Sequence, residues 1–149
     1  MRNLLLPPIV WLAAIATMII AHQSYPIVHW EPNPARTGIG VALGAVAVAV
    51  TVWHKRLFRR VGTNVNTFSS PDKLVEAGLF RHLRNPMYLG FVVALAALAW
   101  VSGALSPWFI VAGFFLLADR WYIPVEERAM SLRFGAEYEA YRNRTRRWI

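Results

Sequence analysis

Two apolar runs, Leu4 to Ala21 and Thr37 to Trp53, constrain this chain more than any other feature. A bilayer core needs about 20 apolar residues in a helix, and about 17 at the least. Both runs reach that length. A third stretch, Met87 to Ile123, is long and apolar and is broken by Ser102-Gly103 and Ser106-Pro107. It reads as two helices joined by a tight turn. The predicted spans are therefore about 4–21, 37–53, 87–105 and 107–123, in one domain, 1–149. A soluble fold of 149 residues could not bury a sequence that is 56% hydrophobic. A cleaved leader fits the first run poorly. Pro7 and Pro8 interrupt it, and Ile19 stands where a small residue is wanted before cleavage after Ala21.

The charge pattern agrees with four spans. The formal net charge is +8 beside a mean hydropathy of +0.37. A nucleic-acid binder would explain the charge but not the apolar runs. Lys55, Arg56, Arg59, Arg60, Lys73, Arg81 and Arg84 lie between the second and third runs. Arg120, near the end of the fourth, and Arg128, Arg133, Arg142, Arg144, Arg146 and Arg147 lie from Asp119 onward. With Arg2, four spans put fifteen of the sixteen basic residues on one side, leaving Arg36 on the other. The positive-inside rule makes the rich side cytoplasmic, with both termini there. The expected fold is all-α: a polytopic membrane protein with about four transmembrane helices, plus a C-terminal amphipathic cytosolic helix.

That last helix is read from Val125 to Asn143, where Met130, Phe134, Tyr138 and Tyr141 follow Glu127 at intervals of three and four. Gly135 weakens it. Gly40 and Gly44 in the second span are spaced for close helix contact. The loop His22–Arg36 carries Pro26, Pro32 and Pro34 with Tyr25 and Trp30, as an irregular outer loop with interfacial anchors would. There is no cysteine, which removes disulfides, thiolate metal sites and cysteine nucleophiles. His22, His29 and His54 have no ligand spacing, so no metal is expected.

Two segments are polar and close to the membrane: 78–90 and 126–147. In the first, Pro86 suits the first turn of a helix and Asn85 its N-cap. The free N–H groups of such a helix start can hold an anion, and Gly78 permits a close turn. An ordinary loop-to-helix junction with snorkelling arginines shares this pattern. In the second, Glu126 and Glu127 point about 100° apart on a helix and so should have different partners. Either could pair with a neighbouring arginine or serve a cationic ligand.

Taken together, Gly78-x-Phe80-x-x-x-Arg84-Asn85-Pro86-x-Tyr88-x-Gly90 and Glu126-Glu127-x-x-Met130-x-x-x-Phe134-Gly135-x-x-Tyr138-x-x-Tyr141-x-x-Arg144 resemble the isoprenylcysteine carboxyl methyltransferase family. Related membrane phospholipid methyltransferases share part of the pattern. The resemblance covers Gly78 to Ile149 and implies S-adenosyl-L-methionine as methyl donor. It implies that Gly78, Leu79 and Phe80 line the cofactor site, with Arg84, Asn85 and Tyr88 at its polar end. Glu126 or Glu127 would contact the amino or ribose side. Tyr138 and Tyr141 would close the pocket, and Arg144 would approach the reacting group. The catalytic candidates are Arg144, Glu127 and Asn85. Family members often carry histidine at the position of Asn85, and asparagine keeps the hydrogen bonds but cannot titrate.

The chemistry is coherent. Glutamate matches a cation, and arginine or helix N–H groups match a carboxylate. Methyl transfer is an in-line displacement governed by positioning and electrostatics. The expected acceptor is lipophilic: an isoprenylcysteine-type carboxylate or thiol, or a lipid headgroup. The expected partners are membrane lipids and such a substrate, with no nucleic acid, and the expected location is the cell inner membrane with a cytoplasmic active site. Two alternatives stay open: a membrane reductase of the related sterol reductase type using NADPH, and a non-catalytic lipid-binding membrane protein.

Overall fold

Prolines start most of the helices. The computed structural model describes residues 6–31, 33–61 and 73–149. Arg2, the first residues of the Leu4–Ala21 run and Pro32 lie outside them. Helix α1 spans Pro7–Ser24 and α2 spans Pro34–Val61. A 3-10 turn, Gly78–Arg81, leads to α3, Pro86–Ser102, and then to α4, Ser106–Leu117. Proline lies at the first or second position of α1, α3 and α4, where its missing N–H leaves no bond unmade. Gly103 ends α3 at φ +68°, a left-handed conformation that glycine adopts without a Cβ clash.

Helix α4 does not stop at Ile123. It passes through a π-helical turn, Ala118–Tyr122, into α5, Ile123–Phe134. Pro124 supplies the reason. In an α-helix its ring would meet the carbonyl of Arg120, and it has no N–H to give. A locally wider turn absorbs both problems. The amphipathic tail stretch is helical in two pieces rather than one, because Gly135 sits at φ +51° between α5 and α6, Ala136–Arg144.

Three helical stretches are long and apolar enough to cross a membrane: Pro7–Ser24, Pro34–His54 and Ser106–Phe134. The remaining apolar helix, Pro86–Ser102, has 17 residues. It is the central one, packed against α2 and α4 and touching α1. The chain is therefore an all-helical integral membrane protein. Its core joins Met18 of α1 to Tyr88, Phe91, Leu95 and Ala99 of α3 and to Val111, Phe114, Ala118 and Tyr122 of the long rod. Trp11 Nε1 donates to the Phe91 carbonyl at 3.1 Å, fixing the start of α1 beside the start of α3.

At the opposite end, the α1–α2 loop clamps the α3–α4 turn. Trp30 N donates to Gly103 O at 2.8 Å, and Leu105 N donates to Ile27 O at 2.9 Å. The helices thus run up, down, up and down, and the two motif segments share one end.

In lipid, apolar area gives no net drive to join helices, so close packing must. The α2–α3 seam follows that logic. Gly40 and Gly44 both face Ala97, as their spacing predicts. A Cβ on Gly90 would lie 2.6 Å from Thr51 Oγ1 and 3.4 Å from Ala47 O. Gly90→Ala should therefore cost about 1–3 kcal/mol, whereas Gly38→Ala, with nothing within 4 Å, should not lower stability. Thermal midpoints of the two variants in detergent check the contrast.

Candidate active site

The site is built where the start of α3 meets α5 and the segment after α6. Gly78, at φ +62°, opens the 3-10 turn, and a Cβ there would lie 2.5 Å from the Trp53 ring. The turn leaves Phe80 buried, with its carbonyl accepting the Tyr141 hydroxyl at 2.9 Å. Leu79 holds the turn through its carbonyl, which accepts His82 N at 3.0 Å and Leu83 N at 2.9 Å. Beyond α6 the chain becomes extended and lies parallel to the residues before α3. Arg146 N donates to His82 O and Arg84 N to Arg146 O, each at 2.8 Å.

This pairing explains a difference from the expected cap. Asn85 does precede α3, and its carbonyl accepts Leu89 N at 3.1 Å. Its side chain makes no cap bond. Nδ2 donates instead to Arg147 O at 3.1 Å, so the side chain joins the extended segment to the helix start.

Two carboxylates on α5 then receive different partners, as their angular separation requires. Glu127 takes two arginines. Its Oε1 accepts Arg84 Nε at 3.2 Å and its Oε2 accepts Arg147 Nη2 at 2.6 Å. Both Arg84 and Glu127 side chains are largely buried, at 12% and 14% exposure. Arg84 also donates to Arg142 O at 2.9 Å and to Thr145 O. Glu126 accepts the Tyr88 hydroxyl at 2.8 Å. Arg147 continues the network to Asp119 at 3.5 Å, and Trp148 Nε1 donates to the same carboxylate oxygen at 2.8 Å. The Glu127 bond holds the Arg147 guanidinium above its ordinary pKa.

Tyr138 and Tyr141 are buried on α6, with ring centroids 6.0 Å apart. Burial, followed by the Glu127 charge, pushes the Tyr138 hydroxyl up to about 12. Burial likewise raises Tyr141. Arg144 stands apart from this group. It pairs with Glu76, lies over the Tyr141 ring at 5.8 Å and is 55% exposed. Arg84, Asn85, Tyr88, Glu126 and Glu127 are thus drawn together with Phe80 and the two tyrosines behind them, and Arg144 lies at the rim.

Three participants escape the sequence pattern: Thr145, Arg147 and Asp119. Thr145 and Arg147 act on an extended segment, where helical periodicity carries no information. Asp119, an ionisable residue in an apolar run, is a functional candidate by its depth, but its partners Arg147 and Trp148 lie beyond the reach of helical spacing. Among the described residues no group of three or more His, Asp or Glu could hold a metal ion.

The two polar motifs close on each other at one end of the bundle, which makes this an integral membrane protein with one polar site at the end of its helices. The family is specific. Residues 35–137 match the phospholipid methyltransferase family model, and the chain belongs to that family. The chain is also 34% identical over 64 residues to an uncharacterised protein of Haemophilus influenzae, covering 42% of this chain and all of that relative. No solved structure matches.

Among the described residues, Glu127 is the carboxylate that bridges Arg84 to Arg147. Glu127→Ala leaves Arg84 with uncharged acceptors alone and Arg147 with Asp119 alone, and should cost about 1–3 kcal/mol, read as a lowered thermal midpoint. Tyr138 predicts an alkaline limit. Its neutral form is favoured by folding, so its contribution is complete below the ordinary value of 10.0 and is lost as pH rises towards about 12. Helicity followed through an alkaline titration should fall across that window, with Tyr138→Phe resisting the loss.

Proposed function

We propose that this chain is an S-adenosyl-L-methionine-dependent methyltransferase that acts on a lipophilic acceptor at the membrane surface. Family membership makes it a membrane methyltransferase of lipid-like substrates. The observation that carries the finer reading is the meeting of the two motifs through Arg84–Glu127 and Tyr88–Glu126.

The donor set fits such a cofactor. Arg84 and Arg147 offer guanidinium groups to a carboxylate, and Glu126 offers a carboxylate to an ammonium or to hydroxyls. Phe80, Tyr138 and Tyr141 supply aromatic surface around them. When bound, the cofactor supplies a methyl group on a sulfonium. The chain's own part is to hold, orient and screen. Glu127 is committed to two arginines and keeps their charges fixed, which suits it to positioning. Glu126, which accepts the Tyr88 hydroxyl beside them, is the candidate for direct contact. Asn85 keeps the extended segment in place without titrating. Arg144 at the rim is suited to guiding an anionic group towards the site. The active site lies on the cytoplasmic side, in the cell inner membrane, on the distribution of basic residues.

A lipid headgroup amine, an isoprenoid thiol and a prenylated carboxylate are all acceptors of the right kind. Calorimetry with S-adenosylhomocysteine, on protein in phosphatidylcholine nanodiscs, tests the reading. Glu126→Gln keeps an acceptor for Tyr88, so the fold should persist while affinity falls at least about tenfold, the loss of one charge-assisted bond. Labelled methyl transfer into a lipid and metabolite extract identifies the acceptor. If a reduced nicotinamide binds and S-adenosylhomocysteine does not, the chain is a reductase instead.

A further inference from the structure

His54 is a buried polar side chain that the site described above does not use. It closes the span Pro34–His54 and is fully buried. Its Nδ1 lies 2.7 Å from Val50 O. A carbonyl oxygen can only accept, so Nδ1 carries the proton. Nε2 is also buried and has no hydrogen-bond partner among the described residues. An imidazolium would place an unpaired N–H and a full charge in apolar surroundings, at far greater cost than an unused lone pair. The ring is therefore neutral, and Nε2 presents a lone pair.

A phenylalanine would fill the same space without that unmet acceptor, and native structures retain few of them. The position of this one connects it to the motif. The Phe80 ring packs edge-on to the imidazole with centroids 5.2 Å apart, and the Trp53 ring does so at 5.1 Å. Trp53 in turn lies across Gly78. Trp53 and Arg56 also end an apolar groove that runs along α2 past Gly44, Val48 and Val52. His54 does not line that groove itself; the Trp53 ring, which does, packs on its imidazole.

We propose that His54 is a ligand-contacting residue of this methyltransferase, its Nε2 accepting a hydrogen bond from an N–H or O–H of a bound substrate. The proposal rests on the methyltransferase reading and deepens it. A lone pair is satisfied only by a donor, so a carbonyl or phosphate oxygen is ruled out at this point. Two sources carry the chemistry: the amino and hydroxyl groups of the adenosyl methyl donor, and the ammonium or hydroxyl of an acceptor headgroup. Of the two rings over the imidazole, Phe80 is buried with its carbonyl held by Tyr141, whereas Trp53 is 45% exposed. Trp53 is the ring that yields to the ligand.

The test uses the full chain in phosphatidylcholine nanodiscs with 15N-labelled histidine. In the free protein the Nε2 signal of His54, assigned by its loss in His54→Gln, is that of an unprotonated nitrogen. Adding S-adenosylhomocysteine should move it upfield if the methyl donor supplies the bond. If the headgroup supplies it, the movement needs phosphatidylethanolamine in the disc. His54→Phe should keep a thermal midpoint at or above that of the wild type. It should weaken the responsible ligand about tenfold, in Kd for S-adenosylhomocysteine or in KM for the lipid. His54→Gln, which restores an acceptor oxygen, should recover most of the loss. The proposal is overturned if S-adenosylhomocysteine binds the wild type and neither ligand moves the Nε2 signal. It is equally overturned if His54→Phe loses stability while Kd and KM stay unchanged. If S-adenosylhomocysteine does not bind the wild type at all, the methyltransferase reading fails first and takes this one with it.

Discussion

Glu127 between two arginines is the interaction on which this end of the molecule depends. One carboxylate joins three pieces of chain at a single point: the start of α3 through Arg84, α5 itself, and the extended segment through Arg147. The pair with Arg84 is largely shielded from water. Its value lies less in net stabilisation, which desolvation offsets, than in allowing one arrangement and penalising others. The backbone pairing of His82 and Arg84 with Arg146 has the same effect. Together they turn two loosely connected polar motifs into one surface.

The rest of the bundle exists to hold that surface still. The α2–α3 seam is made of small residues, and its close approach replaces the hydrophobic drive that lipid removes. The π turn at Ala118–Tyr122 lets a proline remain inside a continuous rod, so α4 passes its rigidity directly to α5. The carboxylates of Glu126 and Glu127 therefore ride on the same element that carries Val111, Phe114 and Tyr122 in the core. Movement of the site relative to the core would have to bend that rod.

Much of this was legible beforehand. Apolar run length gave the membrane class, and the paired motifs gave the family, because both depend on local composition and order. The different partners of Glu126 and Glu127 followed from helical geometry alone. What stayed hidden depended on contacts distant in sequence. The Asn85 side chain leaves its cap position because Arg147 O lies beside it, 62 residues later. Arg144 falls on the motif pattern but turns to Glu76, because α6 presents its tyrosines inwards and its arginines outwards. Gly135 was noted as a weakness, yet only its positive φ shows that the helix ends there. His54 had no spacing partner to mark it, and its unmet lone pair is visible only once Trp53 and Phe80 close around it.

The shortness of α3 has a geometric consequence of its own. Gly90 packs against Thr51, and α2 continues ten residues beyond that contact, to Val61, while α3 reaches back only four, to Pro86. At 1.5 Å per residue, α2 stands about 9 Å above the start of α3. On the other flank the long rod extends to Phe134. The polar motifs thus lie at the bottom of a notch between two taller walls, below the rim of the bundle. Anything that reaches Glu126 or Glu127 from that end must therefore enter between α2 and the rod, so the width of the notch, more than the height of the bundle, sets what can approach them.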